Sequence, residues 1–281
     1  MPGIDPHEVI AGLSRDGAAI LDVRDPAAFA RGHLAGAGHL PRAEFAIRRT
    51  ELPPRDARVL VVGDSPEQAR AAAADLEALG YARVAWLNAP LDALPAGLAD
   101  RGPAARLWQP APFLEQVLPR LAPGLALDLA AGAGREAVFL AMHGFTVEAV
   151  DDDPDILARA EALAERNGVR ITTRVVDLER RGTALPQERY RLVIVFRFLH
   201  RSLFPHIERA LAPGGRLVYE TFRRGQARYG RPTHPRFLLD DGELRSAFPS
   251  LVVEHYEEPD PAGGPVTARL LARRPVGQEP A

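Results

Sequence analysis

Short apolar runs alternate along the chain with longer segments of helical character. In the first third, apolar runs at residues 18–25, 58–64 and 82–87 predict strands. Residues 66–80 predict a helix, because they begin with Pro, end with Gly and hold helix formers between. A further short helix is expected before residue 18. This alternation predicts a parallel sheet with helices on its faces.

The rest of the chain repeats the alternation more fully. Strands are expected at residues 125–130, 146–151, 171–178, 191–199 and 216–222. Helices are expected at residues 135–144, 154–168 and about 203–211. Two late apolar segments predict an antiparallel hairpin. Together these elements predict an α/β domain with a Rossmann-like, seven-stranded sheet.

A proline-rich stretch separates the two α/β units. Residues 90–123 hold seven prolines and little strand signal, and a short helix is expected at residues 108–121. A chain of 281 residues is long enough for two domains of about 100 to 200 residues each. We therefore predict one domain over residues 1–102 and a second over residues 103–281.

The composition excludes several kinds of chemistry. The chain has no cysteine and no lysine, so disulfides, cysteine–metal sites, thiolate nucleophiles and lysine Schiff bases are ruled out; no metal site is predicted. The net charge of −2 gives no general attraction to nucleic acid. With neither a signal-peptide pattern nor an apolar run of about 20 residues, a cytoplasmic location and no membrane partner are expected.

A glycine-rich turn follows the first strand of the second unit. Gly132 and Gly134 allow a tight turn close to a ligand, and the next helix presents free N–H groups. Asp151 and Asp177 close the next two strands, where carboxylates converge on the crevice used for ligands. Asp151 is placed to accept from ribose hydroxyls and Asp177 from an adenine amino group. The alternatives are a plain turn and solvated helix caps.

In these features, residues 108–274 resemble class I S-adenosylmethionine (SAM)-dependent methyltransferases. The segment LDLAAGAGREAVFLA is similar to the family's first motif, with Ala130 where glycine is common, and LAPGG at residues 211–215 is similar to its turn before strand five. The resemblance implies SAM as cofactor, ahead of NAD. The cofactor-binding residues it implies are Asp128, Ala130, Gly132, Gly134, Arg135, Asp151, Asp152, Asp177, Leu178 and Phe196.

Two segments are candidates for the substrate side. FRFLHR follows strand four, where Arg197, His200 and Arg201 are suited to an anionic substrate or a base. Alternatively, these arginines pair with nearby acids and His200 caps a helix.

Residues 219–244 hold five arginines and are expected to form a lid over the active-site mouth. They resemble small-molecule methyltransferases of the tellurite-resistance and thiopurine type. Glu220, Tyr229 and His234 are the expected substrate contacts, and His200, Tyr229 and Glu220 the expected catalytic residues. A solvated basic loop is the alternative, and a basic lid would also suit a phosphate-bearing or RNA substrate.

In the first unit, residues 20–41 resemble the first half of a rhodanese domain, through Asp22-Val23-Arg24, Phe29 and Gly32-His33-Leu34. The resemblance extends to about residue 94. In that family the next buried strand delivers a cysteine that carries a persulfide. The matching position here is about Gly63, so this domain is predicted to be catalytically inactive. Two roles stay open: it binds an anion, a sulfur species or a partner protein, or it packs or dimerises.

The expected protein is a SAM-dependent methyltransferase fused to an inactive rhodanese-like domain. Its expected partner is a small-molecule methyl acceptor, for which a thiol or other chalcogen nucleophile is the hypothesis. A tRNA methyltransferase and a non-enzymatic SAM-binding sensor or interaction protein are the alternatives. A homodimer also stays open.

Overall fold

The computed structural model describes residues 3–4, 17–91, 96–180, 182–262 and 264–276. These form two compact units, Met1–Gln109 and Pro110–Ala281. The short helix expected before residue 18 lies outside the described residues. None of the described helices is long and apolar enough to cross a membrane.

The division between the units falls later than the boundary at residues 102 and 103 that the sequence predicts. Ala105 donates its backbone N–H to the carbonyl oxygen of Ala37 over 2.9 Å. Leu107 packs against a core cluster of the first unit. These contacts attach the proline-rich stretch to the first unit as far as Gln109.

The first unit is built on a parallel sheet, as predicted. In chain order its strands are β1 (Gly3–Ile4), β2 (Ala19–Asp22), β3 (His33–Leu34), β4 (Ala37–His39), β5 (Val59–Val62), β6 (Val84–Leu87) and β7 (Ala99–Asp100). Five strands pair in the order β1-β6-β5-β2-β4, all in parallel, and β3 pairs separately with β7. The α-helices are α1 (Pro26–Arg31) and α2 (Pro66–Ala78).

Both faces of this sheet are covered, which explains its continuously apolar central strands. All four residues of β5 are buried. Val59 and Val61 belong to a core cluster with the buried face of α2, whereas Leu60 and Val62 belong to a second cluster. Helix α2 begins where the Ser65 hydroxyl accepts from the N–H of Gln68.

A buried ion pair connects β2 to the chain that follows it. Arg24 Nη2 lies 2.7 Å from Asp22 Oδ2, with both side chains almost fully buried. Arg24 Nη2 also donates to the carbonyl of Gly32 over 2.7 Å, and the Arg24 carbonyl oxygen lies 2.9 Å from His39 Nε2. Asp22 and Arg24 of the Asp-Val-Arg triplet therefore have a structural role, because they hold the end of β2 against the chain that follows it.

The second unit contains the predicted seven-stranded sheet. Its strands are β8 (Leu125–Leu129), β9 (Thr146–Asp151), β10 (Thr172–Val175), β11 (Tyr190–Phe196), β12 (Leu211–Phe222), β13 (Val252–Glu257) and β14 (Thr267–Arg273). They pair in the order β10-β9-β8-β11-β12-β14-β13. The first five are parallel, and β14 is antiparallel to both β12 and β13. The α-helices are α3 (Pro112–Val117), α4 (Arg135–Met142), α5 (Pro154–Arg166), α6 (Phe204–Ala210) and α7 (Glu243–Ser246).

Because side chains alternate between the two faces of a strand, two acidic residues of this sheet lie on the same face. Leu127, Val193 and Tyr219 belong to one large core cluster and so share a face of the sheet. Asp128 and Glu220 alternate with these residues, so they lie on the opposite face. Both carboxylates are buried, Asp128 at 2% exposure and Glu220 at 7%.

Several predicted elements differ from the structure, among them the strand at residues 171–178 and the loop at residues 219–244. Strand β10 ends at Val175, not at residue 178, because the Asp177 carboxylate accepts from the N–H groups of Glu179 and Arg180 and turns the chain. Residues 219–244 are not one open loop. They include the end of β12, two 3₁₀ helices (Arg224–Arg228 and Pro235–Phe237) and the start of α7.

The buried ion pair gives a stability prediction. Asp22→Asn leaves the Arg24 guanidinium buried without its charge partner, so we expect the first unit to lose about 3 kcal/mol of unfolding free energy. Urea denaturation followed by tryptophan fluorescence measures this, because both tryptophans, Trp86 and Trp108, lie in the first unit. The control is Asp75→Asn, which removes the exposed pair with Arg42 and should cost less than about 1 kcal/mol. Equal losses in both variants would contradict the prediction.

Candidate cofactor and acceptor site

The turn between β8 and α4 lies close against its neighbours. Ala130 has a φ of +56°, unusual for a residue with a side chain, and Gly134 has a φ of +77°. A Cβ on Gly134 would lie 2.5 Å from the Cβ of Ala160 in α5, so only glycine fits. The N–H of Ala131 donates to the carbonyl of Val150 over 3.0 Å. The turn is thereby held at the carboxyl end of the sheet.

Asp151 fastens this turn from the end of β9. Its Oδ2 accepts from the N–H of Gly132 over 2.8 Å, and its Oδ1 accepts from the N–H of Asp153 over 3.3 Å. A carboxylate offers about four acceptor positions, so Asp151 retains capacity for a ligand.

A cavity of about 470 Å³ opens at the carboxyl ends of β8, β9 and β10, within the size range of small-molecule sites. Its lining residues are Ala130, Asp151, Asp152, Val176, Asp177, Leu178, Glu179 and Phe198. All the charged residues in this lining are acidic. The cavity therefore suits a ligand that carries positive charge and offers hydrogen-bond donors.

A further carboxylate lies buried beneath the turn. Burial raises the pKa of Asp128 well above its ordinary value, and the nearby charges of Glu136 and Asp151 raise it further. Asp128 Oδ2 has no hydrogen-bond partner among the described residues. Desolvation, together with Asp151, also raises the pKa of Asp152 at the cavity lining. An ammonium or sulfonium group would relieve this concentration of negative charge, so the residues fit SAM, which carries both.

The structure brings most of the predicted cofactor residues to this site. Ala130, Asp151, Asp152, Asp177 and Leu178 line the cavity. Asp128, Gly132, Gly134 and Arg135 lie at the end of β8, in the turn and at the start of α4.

Phe196 is not among the lining residues of the cavity, and Phe198 lines it instead. Phe196 is the last residue of β11, paired in register with Glu220. Arg197 then adopts a φ of +58°, which turns the chain after the strand. The sequence shows both phenylalanines but not this turn, so it does not distinguish which one reaches the cavity.

The polar residues after β11 largely have structural partners. Arg201 forms a two-fold ion pair with Glu243, over 2.6 and 2.8 Å, and also donates to the carbonyl of Leu238. His200 immediately precedes the 3₁₀ helix Arg201–Leu203, with its Nε2 2.5 Å from the Ser202 hydroxyl. Arg201 thus has the acidic partner that the alternative expects, whereas the His200 side chain makes no capping hydrogen bond to that helix. Arg197 is exposed.

The arginines of residues 219–244 are mostly neutralised by carboxylates. The ion pairs are Arg223–Asp241 at 2.7 Å, Arg224–Asp240, Arg228–Asp260 at 3.1 Å and Arg236–Glu179 at 3.4 Å. Because Glu179 lines the cavity, the last pair brings this segment to the cavity rim. The segment therefore reaches the cavity mouth, where a lid would lie. Because most of its arginines are paired, it offers an RNA backbone much less positive charge than the number of arginines indicates.

The three predicted substrate contacts occupy different places. Tyr229 is 43% exposed and lies beside Gly264, outside the cavity lining. His234 Nδ1 accepts from the N–H of Arg236, and its ring contacts Phe237. Glu220 is buried on β12, with Arg269 Nε 3.1 Å from its Oε1.

In the first unit, the loop after β5 is filled by its own side chains. Gln68 Oε1 accepts from the N–H of Asp64 over 2.6 Å, and the Ser65 hydroxyl accepts from the N–H of Gln68 over 3.3 Å. A Cβ on Gly63 would lie 2.8 Å from the backbone nitrogen of Ala69. Two backbone donors of this loop, the N–H groups of Asp64 and Gln68, are therefore engaged internally.

The comparisons with known proteins identify both units. The family described as "Tellurite resistance protein TehB" matches residues 114–257, just over half of the chain. The chain belongs to this family. Membership confirms the predicted methyltransferase class of the second unit and, with it, SAM as the cofactor. The "Rhodanese-like domain" family matches residues 5–93, which confirms the predicted fold of the first unit.

Individual relatives divide between the two units. A ribosomal protein L11 methyltransferase of Thermus thermophilus is 39% identical over 108 residues, which cover 37% of this chain and 41% of that protein. A thiosulfate sulfurtransferase GlpE of Pseudomonas putida is 39% identical over 83 residues, which cover 29% of this chain and 73% of that protein. The chain thus spans less than half of the Thermus protein but nearly three quarters of the Pseudomonas one.

Among solved structures, TehB from Haemophilus influenzae matches with a TM-score of 0.50 and 19% identity, over 59% of this chain and 62% of that chain. At this identity the match supports the methyltransferase fold. The substrate of the present chain has to be argued from its own residues.

The filled loop of the first unit predicts that a cysteine alone restores no sulfur chemistry. Gly63→Cys introduces a Cβ against the backbone of Ala69, so we expect a loss of about 1 to 3 kcal/mol of stability and no sulfur transfer from thiosulfate. The double variant Gly63→Cys/Gln68→Ala is the control, because it removes the contact of the new Cβ with the Gln68 side chain but keeps its contact with the Ala69 backbone. If Gly63→Cys kept its stability and carried a persulfide, this prediction would be contradicted.

Proposed function

We propose that this protein transfers a methyl group from SAM to a small-molecule acceptor, with a thiol or other chalcogen nucleophile as the acceptor class. The observation that carries the proposal is the acidic cavity beside the glycine turn. SAM brings a sulfonium and an ammonium group, whereas the pyrophosphate of a dinucleotide would place two negative charges near Asp151, Asp152 and Asp177. The geometry therefore supports SAM over NAD.

The proposed contacts follow from the position of each residue. The turn at Gly132 and the buried Asp128 would hold the methionine part, Asp151 the ribose and Asp177 the adenine amino group. Bound SAM supplies an electrophilic methyl group on its sulfonium sulfur. The chain's own contribution is to hold donor and acceptor in line and to exclude water, which accounts for much of the rate gain in such displacements.

A small acceptor is favoured by the charge pairing of residues 219–244. An RNA substrate is bound through many contacts from basic side chains to phosphates. Here Arg223, Arg224 and Arg228 already face carboxylates, and Arg236 faces Glu179 at the cavity rim. For the first unit, the filled loop supports a packing, dimerisation or partner-binding role over the binding of a sulfur species.

The cofactor site gives an affinity prediction. Asp151→Ala removes the ribose acceptor and the bond to the Gly132 N–H, so SAM affinity should fall by well over tenfold, or more than about 1.4 kcal/mol. Asp155→Ala is the matched control, because it removes an exposed carboxylate from the first turn of α5, outside the cavity lining. Isothermal titration calorimetry on the full chain measures both. Equal affinities for the two variants would mean that Asp151 does not hold the cofactor.

Transfer of labelled methyl from SAM to a mixed acceptor panel tests the activity. The panel holds thiols, chalcogen oxyanions, phenols, ribosomal protein and bulk tRNA. We expect label in a small, extractable product. Label only in tRNA or protein would contradict the small-molecule proposal, and bound SAM with no transfer to any acceptor would support the SAM-sensor alternative.

A further inference from the structure

A buried tyrosine hydroxyl holds the chain that follows β11. Tyr219 of β12 is fully buried in the large core cluster of the second unit. Its ring packs against Phe204 and Phe248, with ring centroids 6.1 and 6.0 Å away. Its hydroxyl donates to the carbonyl of Phe198 over 3.0 Å. A phenylalanine ring would pack in the same way, so core packing alone does not require the hydroxyl.

The turn that receives this bond is strained. Arg197 has a φ of +58°, in the left-handed region that is unfavourable for a residue with a side chain. Two bonds from consecutive residues of β12 hold it there. The Glu220 carbonyl accepts from the Arg197 N–H over 2.8 Å, and the Tyr219 hydroxyl binds the next carbonyl, that of Phe198. Strain of this kind persists only where the surroundings enforce it, so loss of either bond would let the turn relax.

The same two bonds fix the direction of the Phe198 side chain. A peptide group is planar, so a hydrogen bond to its N–H or its carbonyl orients the whole group. The bond to the Arg197 N–H orients the plane before Arg197, and the bond to the Phe198 carbonyl orients the plane after Phe198. Only the backbone dihedrals of these two residues lie between the two planes. The Phe198 Cβ therefore points in one fixed direction.

Phe198 forms a wall of the cofactor cavity. Its ring packs against the large core cluster and also lines the cavity, so it separates the core from the space for the ligand. Among the described residues that line the cavity, Phe198 alone is aromatic. The position of this ring therefore sets the width of the cavity on the side of β11 and the exclusion of water from a bound ligand.

On the basis of the proposed function, we infer that Tyr219 is a positioning residue of the cofactor site, whose hydroxyl holds the Phe198 ring against bound SAM. Phe198 contacts the cofactor and keeps water from it. Tyr219 does not reach the cofactor and acts through Phe198. Its role needs a permanent donor, and burial provides one, because it raises the pKa of Tyr219 above its ordinary value and keeps the hydroxyl protonated.

Two matched tyrosine variants test this inference by titration calorimetry of the full chain with SAM. Tyr219→Phe keeps the ring and removes one hydrogen bond, so SAM affinity should fall about three- to tenfold. Tyr190→Phe is the control. Tyr190 is also fully buried in the same cluster, and its hydroxyl donates to Glu148 Oε2 over 2.8 Å, with neither residue in the cavity lining.

The control should separate affinity from stability. Tyr190→Phe loses a bond to a carboxylate, so in thermal unfolding followed by circular dichroism it should destabilise the second unit at least as much as Tyr219→Phe does. It should nevertheless leave SAM affinity within about twofold of the wild type. Equal SAM affinities for the two variants would make the Tyr219 hydroxyl merely structural and overturn the inference.

A double-mutant cycle tests whether Tyr219 acts through Phe198. Phe198→Ala should weaken SAM binding more than Tyr219→Phe does, because it removes the ring itself. With the ring absent, adding Tyr219→Phe should change SAM affinity by less than about twofold. Additive losses, or unchanged affinity in Phe198→Ala, would overturn the inference. A wild-type chain that binds no SAM would instead overturn the proposed function, on which the inference rests.

Discussion

The hydrogen bond from the Gly132 N–H to Asp151 Oδ2 is the contact on which the second unit's site depends. It joins the turn after β8 to the end of β9, and so fixes the edge of the cavity. The left-handed residue Ala130 and the close packing of Gly134 on Ala160 belong to the same turn. Together with the bond from the Ala131 N–H to the Val150 carbonyl, the Asp151 bond fixes the turn relative to the carboxylates that face the ligand.

Concentrated negative charge is the main feature of the cofactor cavity. The cofactor cavity is lined by carboxylates, and Asp128 beneath it is buried with an unpartnered oxygen. On β12 of the same sheet, the buried Glu220 is incompletely neutralised by Arg269. The acidic cavity favours a cationic methyl donor, and methyl transfer removes the positive charge of that donor.

The sequence predicts the fold well, because the central strands of the second unit, β8, β9 and β11, contain buried apolar runs. It also indicates that Asp151 and Asp177 lie near one another, because the carboxyl ends of adjacent parallel strands meet at the same edge of a sheet. It does not predict the choice of Phe198 over Phe196, which depends on a left-handed residue at Arg197.

An arginine-rich composition does not show which arginines form ion pairs. The sequence of residues 219–244 predicts a basic loop, yet Asp240, Asp241 and Asp260 neutralise much of its charge. Asp260 does so from outside the segment. Likewise, the absence of cysteine predicts an inactive first unit, but only the structure shows that the Gln68 side chain accepts from the Asp64 N–H of the loop. Long-range partners of this kind leave no periodic signal in a sequence.

We expect the acidic cavity at the carboxyl edge of the second sheet to bind SAM. Titration calorimetry of the full chain with SAM and with NAD, side by side, measures this. We expect saturable binding of one SAM per chain and no measurable heat from NAD. Saturable binding of NAD, or no binding of SAM, would contradict it.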